Sequence, residues 1–249
     1  TGNSIFRTKE FTIAELEYFV SPKDDDSAFD EWLKYQQDFF VNDLGLKKEN
    51  ITYSPNGLPE EFFKNPIKEG KPNTIIYMGR IAPIKNFEVV LQALALTKNK
   101  NFQFHLLGPA EPAYLKKINT LIDKLGLKNR VTIQNKKYSS KEQISHLEKG
   151  EIFILPSRSE GMPQVLIEAL ARKRIVIASD IPASSDLIKN QQNGFLFKKD
   201  DSRELANLLD KISVLPAKKK NKIKENASKS VKAFDWNILI NKIDKLAKS

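Results

Sequence analysis

The chain of 249 residues contains no cysteine, which excludes disulfides and thiolate metal centres. Histidine occurs only at His105 and His146, far apart, so a catalytic zinc site built on clustered ligands is not expected. No apolar run approaches the ~20 residues of a membrane span. No secretory leader pattern opens the sequence, so a cytoplasmic location with at most peripheral membrane contact at the inner face is expected. Arginine is scarce too: only Arg7, Arg80, Arg130, Arg158, Arg172, Arg174 and Arg203 contribute to the 41 cationic side chains and the net charge of +10. Specific nucleic-acid recognition favours the bidentate guanidinium fork over lysine, so nucleic acid is not an expected partner. The densest basic run, Lys218-Lys219-Lys220-Asn221-Lys222-Ile223-Lys224, also carries helix formers. It reads as a solvated helix face, with an anionic-lipid or nucleic-acid patch as the alternative.

Composition is otherwise that of a globular protein with a full core, at 40% hydrophobic and 29% charged residues. From Asn73 onward, apolar runs alternate with helical periodicity. Strands are expected over 74–78, 102–107, 130–133, 152–155, 175–178 and 194–197. Between them, helices are expected over 87–96, 114–125, from Ser140 as cap through Leu147, from Pro163, around Ser184–Ile188, and over 202–212. Helices at about 216–230 and 236–247 close the pattern. Strands that read as unbroken apolar runs point to a parallel sheet covered on both faces, a doubly wound Rossmann-like α/β fold. Residues 1–50 differ. A strand or hairpin near Ile5–Val20 and an amphipathic helix from Phe29 to Leu44 suggest a small α+β appendage, with the second domain over 51–249.

In such a sheet, ligands collect where the strands end. After the first strand come Gly79 and Arg80, with Lys85 five residues on. Gly79 permits close backbone approach, and the two cations suit a diphosphate. After the fourth strand comes Pro156-Ser157-Arg158-Ser159-Glu160-Gly161-Met162-Pro163-Gln164-Val165-Leu166-Ile167-Glu168. Pro163 suits the first turn of a helix, where its missing N–H costs nothing. The N–H groups of Gly161 and Met162 would face outward beside the positive helix end. Glu160 precedes the helix and Glu168 lies more than a turn along it. Two carboxylates beside an anion site suit a ligand bearing both hydroxyls and phosphates. His105, on a strand, reads as a core or edge residue, and Arg158 reaches either a phosphate or solvent.

These pieces occur together with Ser54-Pro55-Asn56-Gly57, Tyr77-Met78-Gly79-Arg80, Lys85-Asn86, Leu107-Gly108, Glu168-Ala169, Asn193-Gly194-Phe195-Leu196 and Phe234-Asp235-Trp236. Their order resembles the C-terminal, donor-binding domain of the family 4 retaining glycosyltransferases, which have the GT-B fold. The resemblance covers residues 51–249. It implies that Arg80 and Lys85 grip the diphosphate of a nucleotide sugar and stabilise the departing nucleoside diphosphate. Glu160 would face the sugar, with Gly161, Met162 and Pro163 bonding its hydroxyls. Glu168 would hold the ribose, and Leu166 with Ile167 would line or back that pocket. No cofactor or metal is implied, because the cations do a metal's work. Ser179 to Asp186 stands where the family often has a Gly-rich turn and a Pro-Glu pair near the phosphates.

Family members also carry a first domain that holds the acceptor, a saccharide or lipid-linked glycan, and residues 1–50 are too few to supply it. The resemblance therefore implies an acceptor domain on a separate chain as a possible partner. Residues 2–50 are instead similar to the motif 2 strand and following insertion of bacterial-type glycyl-tRNA synthetase. That likeness would place Arg7, Glu15 and Glu17 in an aminoacylation site whose remaining motifs are missing, so synthetase activity is not expected. Three readings follow: the donor half of a retaining hexosyltransferase, a nucleotide-sugar-binding module that needs a partner for transfer, and a tRNA-associated protein.

Overall fold

The computed structural model describes residues 55–64 and 66–248, together with Lys34, Tyr35, Asp38, Phe39 and Asn42. Apart from those five residues, the segment 2–50, including Arg7, Glu15 and Glu17 and the likeness to a synthetase, lies outside the described residues.

From Lys71 to Lys248 the elements follow the expected alternation. They are β1 (Lys71–Met78), α1 (Phe87–Leu96), β2 (Gln103–Leu107), α2 (Pro112–Lys124), β3 (Val131–Gln134), α3 (Ser140–Leu147) and β4 (Gly150–Leu155). Then come α4 (Gln164–Ala171), β5 (Ile175–Ser179), α5 (Pro182–Ser185), β6 (Phe195–Phe197), α6 (Ser202–Ser213), α7 (Ala217–Ser230) and α8 (Trp236–Lys248). The strands form one six-stranded sheet in the order β3-β2-β1-β4-β5-β6, and every pairing is parallel. Strands β4 and β5 are buried at every position, which an apolar run allows only when helices cover both faces. Helix α1 packs on α2 and α6, α4 packs on α7, and α3 lies against β1 and β4.

Three expectations about boundaries need correction. The cap of α3 is Ser139, not Ser140. Its side chain accepts from the Glu142 N–H while the Glu142 carboxylate accepts from the Ser139 N–H, a full capping box. Pro163 stands one residue before α4, with φ −77° and ψ 86°, so it caps the helix instead of opening its first turn. The helical turn after β5 is Pro182–Ser185, earlier than the expected Ser184–Ile188, because Pro182 with its fixed φ favours a helix start.

The strand order reverses between β1 and β4, the switch point where an open parallel sheet leaves a crevice beyond its strand ends. Two glycines shape the floor there. Gly79 and Gly108 follow β1 and β2 with φ of 144° and 141°. A side chain at Gly108 would come within 1.9 Å of the Gly79 carbonyl oxygen, and one at Gly79 within 2.8 Å of the Tyr77 hydroxyl. Gly108→Ala is therefore expected to cost about 1–3 kcal/mol in backbone strain, read as a lower denaturant midpoint with an unchanged slope.

A second set of long contacts ties the segment before β1 to the sheet. Arg172 and Arg174, each at most 3% exposed, donate into it. Arg172 bonds the carbonyls of Lys64 at 2.7 Å and Pro66 at 3.2 Å and pairs with buried Glu148. Arg174 bonds the carbonyl of Lys68 at 2.7 Å and that of Gly150 at 3.0 Å. Among the described residues no helix is long and apolar enough to cross a membrane.

Candidate active site

The β1–α1 and β4–α4 loops meet at the switch point. Lys85, in a 3-10 turn over Pro83–Lys85, places Nζ 2.6 Å from Glu160 Oε1, although the two are 75 residues apart in sequence. Their side chains are 15% and 11% exposed, so this pair is largely withdrawn from water and screened little by salt. Ser157 Oγ donates to the same Glu160 oxygen, and Ser179 Oγ donates to the Ser157 carbonyl. The pair is thus anchored through β4 to β5. An ammonium has three donors; Lys85 spends one on Glu160 and keeps two. The second oxygen of Glu160 meets no protein donor among the described residues.

The two loops are also tied at their tips. The Arg158 N–H donates to the Ile84 carbonyl at 2.9 Å, and its guanidinium pairs with Asp200 at 3.0 Å. Asn86, left-handed at φ 54°, donates from Nδ2 to the same Asp200 carboxylate at 2.9 Å. Arg158 is therefore a brace between loops. The sequence motifs hold Tyr77, Asn86 and Ser157 but give no role to them or to Asp200, because those roles appear only once the loops are folded against one another.

Arg80 lies on the same rim. Its backbone is fixed by the Tyr77 hydroxyl, which donates to the Arg80 carbonyl at 3.1 Å. Burial, then the Glu160 carboxylate, push the Tyr77 hydroxyl's pKa up, while the Arg80 charge opposes them; Tyr77 thus senses both members of the rim. The guanidinium itself is 66% exposed and, among the described residues, pairs with Glu111 at 3.9 Å. It is free to turn toward an anion.

At the start of α4, no acceptor among the described residues meets the N–H groups of Gly161, Met162, Gln164 or Val165. Open space lies where a side chain at Gly161 would go. This is an accessible, positively polarised helix end. Met162 is half-buried and Pro163 buried. Leu166 and Ile167 are fully enclosed in the core, so their side chains back the site from behind.

Glu168 sits one turn beyond Gln164 on α4. Its Oε2 is buried without a hydrogen-bond partner, as is Nε2 of Gln164. Burial alone pushes the Glu168 carboxyl up to about 7, with no charged neighbour contributing. Buried polar atoms in native proteins are normally bonded, so two orphaned polar atoms on one helix side mark a place for ligand polar groups. Gln164 could have been picked from its position four residues before Glu168. In the loop after β5, Ser185 Oγ donates to Asp180 at 2.6 Å and the Asp180 N–H to the Phe197 carbonyl. The departure from the Gly-rich turn is thus a self-bonded loop. His105 is on β2 as expected, opposite Ile76 in mid-strand and not in the loop that follows.

Against this geometry, the family model for glycosyl transferases group 1 matches residues 59–230. The chain belongs to that family. An uncharacterized glycosyltransferase of Methanocaldococcus jannaschii is 28% identical to it over 195 residues, 78% of this chain and 52% of that protein. The UDP-Gal:alpha-D-GlcNAc-diphosphoundecaprenol alpha-1,3-galactosyltransferase of Escherichia coli is 27% identical over 223 residues, 83% of this chain and 55% of that protein. The chain thus spans about half the length of these curated relatives. Among solved structures, Anabaena HepE in complex with UDP and glucose superposes with a TM-score of 0.71 at 22% identity. That match covers 86% of this chain and 61% of HepE. In the group 1 glycosyltransferase chain, the Rossmann-like half of a GT-B fold is accordingly what the sequence predicts and what the structure shows, and the switch-point rim occupies its strand ends.

Proposed function

We propose that this domain is the donor half of a retaining hexosyltransferase, taking a hexose from a nucleoside diphosphate sugar to a saccharide or lipid-linked acceptor. One observation carries the reading: Lys85, paired with Glu160 at the strand-order switch, keeps donors to spare, and α4, the helix that follows the Glu160 loop, carries a carboxylate with an unfilled buried oxygen, Glu168. A nucleotide sugar carries hydroxyls and two phosphates and so answers both. On this reading Glu168 accepts from the ribose hydroxyls. The free N–H groups of Gly161 and Met162, beside Pro163, bond the hexose, with Glu160 facing it. Arg80 and Lys85 bind the diphosphate. When the bond from the sugar to the diphosphate breaks, charge grows on the leaving phosphate, and the two cations already stand there to stabilise it. Resident cations in that role leave no task for a metal, and the reading assigns none. HepE holds UDP, and the E. coli relative is named for a UDP-galactose donor, so UDP is the first nucleotide to test.

Arg80→Ala is the cleanest test, because its exposed guanidinium supports little of the fold. UDP affinity measured by calorimetry is expected to fall by about 1.5–3 kcal/mol, one charged hydrogen bond. Unchanged affinity would remove Arg80 from the diphosphate clamp. The second reading is a module that binds the donor but needs an acceptor domain on a partner chain. UDP binding without hydrolysis or transfer by this chain would select it.

A further inference from the structure

A cleft at the other end of the sheet has no part in donor binding. It opens where β1 and β2 begin, has a volume of about 620 Å3, and is lined chiefly by Lys71, Asn73, Lys100, Gln103, His105 and Lys149. Its lysines meet no carboxylate among the described residues. Lys100 donates to the Ala95 carbonyl at 3.0 Å, and Lys149 Nζ lies 3.1 Å from Nδ1 of His146. Three lysines therefore line one concavity with no carboxylate paired to them among the described residues. His105, from the middle of β2, makes no side-chain hydrogen bond among the described residues. Burial first, then the Lys149 and Lys71 charges, push its pKa down. His146 is lowered by burial, Lys149 and Lys136, with Glu142 opposing. His105 is thus neutral near pH 7, with one ring nitrogen to donate and one to accept.

The backbone at the cleft is unusual. The β1–β4 pairing slips between Lys71 and Ile75, and Asn73 lies at φ 56° inside the strand, with its Oδ1 accepting from Asn99 Nδ2 at 3.2 Å. Such irregularities re-aim side chains at a strand end. A left-handed residue other than glycine persists only where its surroundings hold it, and such positions gather at ligand sites.

We propose that this cleft binds a phosphorylated small molecule, with Lys71, Lys100 and Lys149 taking the phosphate and Asn73, Gln103 and His105 the hydroxyls. Compact ammonium charges on flexible stems suit a tetrahedral phosphate better than a planar carboxylate. Uncharged amides and a neutral imidazole offer both donors and acceptors. The volume is that of a small-molecule site.

The chain's two histidines make the test direct. Imidazole nitrogen signals, assigned with His105→Gln, are followed while glucose 6-phosphate is titrated into the whole chain, with and without saturating UDP. A saturable shift of the His105 signals is expected, with its titration midpoint moving upward as the phosphate favours the protonated ring. UDP should leave this unchanged, and inorganic phosphate should bind more weakly than the sugar phosphate. In Lys71→Ala/Lys149→Ala, whose exposed side chains leave the fold intact, affinity should fall at least about tenfold. The proposal is overturned by no saturable shift, by equal affinity in the double variant, or by displacement with UDP, which would place the anion in the donor site. A response to phosphatidylglycerol vesicles but not to glucose 6-phosphate overturns it in favour of a lipid surface. Because the response is read with and without UDP, it stands or fails separately from the donor-site assignment.

Discussion

Glu168→Gln is expected to raise the melting temperature of the ligand-free protein at pH 8 while leaving it almost unchanged at pH 4.5. The Glu168 carboxyl, ordinarily near 4.5, is held at about 7 by burial. Its folded-state pKa is therefore above the unfolded one, and the folded protein keeps a proton that the unfolded chain gives up between those values. Stability tied to this group is highest below pH 4.5, falls as pH rises through the window, and is lowest above pH 7. At 1.36 kcal/mol per unit the difference is about 3 kcal/mol, or roughly 6–12 °C for a domain of this size. Glutamine keeps the shape and does not titrate, so the variant should lose that slope. Thermal unfolding of both proteins from pH 4.5 to 8 measures it, and parallel curves would show that Glu168 carries no such strain. The same substitution should weaken UDP binding. If ribose hydroxyls bond the ionised carboxylate, binding at pH 6.5 releases a proton, which calorimetry in buffers of different ionisation enthalpy detects. The group that destabilises the empty protein is on this account the one that grips the ligand.

Arg172→Ala is expected to be the most destabilising single change. Its guanidinium is enclosed among Glu148 and the carbonyls of Glu61, Phe62, Lys64 and Pro66. Truncation strands a carboxylate that is itself 9% exposed and leaves several carbonyls without a donor. Breaking one side of a buried pair costs about 3–5 kcal/mol. Arg172→Lys should recover only part, because an ammonium cannot span acceptors on opposite sides of the planar fork. Denaturant midpoints for the two variants provide the comparison. A lysine variant equal to the parent would show that charge alone suffices.

Much of this architecture was legible because strand and helix periods alternate cleanly. Phe87–Leu96 matches its expected limits, and β4 and β5 read as apolar because both faces are covered. The start of β1 was missed because Lys71, Pro72 and Asn73 carry loop chemistry, and only pairing with the Gly150 end of β4 draws them into the sheet. Ser139 and Ser140 are equivalent as letters. Backbone geometry decides that Ser139, at ψ 160°, is the residue outside the helix. In the site, the residue types and their order along the chain were readable. The contact between Lys85 and Glu160 was not, since nothing local encodes a meeting across 75 positions. Gln164 was overlooked for a different reason: an amide on a helix usually faces water, its spacing from Glu168 is only a hint, and its buried, unpartnered Nε2 is what singles it out.

The placement of β1 beside β4 also governs how the chain reaches this state. During synthesis β2 and β3 can join one margin of β1 early, but its other margin, along Ile75 and Ile76, waits for residues 150–155. Until then an apolar strand margin stands unpaired, the situation that invites pairing with other chains. A fragment ending before Gly150 would keep Arg80 and Lys85 yet lack Glu160 and Glu168, and would aggregate before it could bind anything.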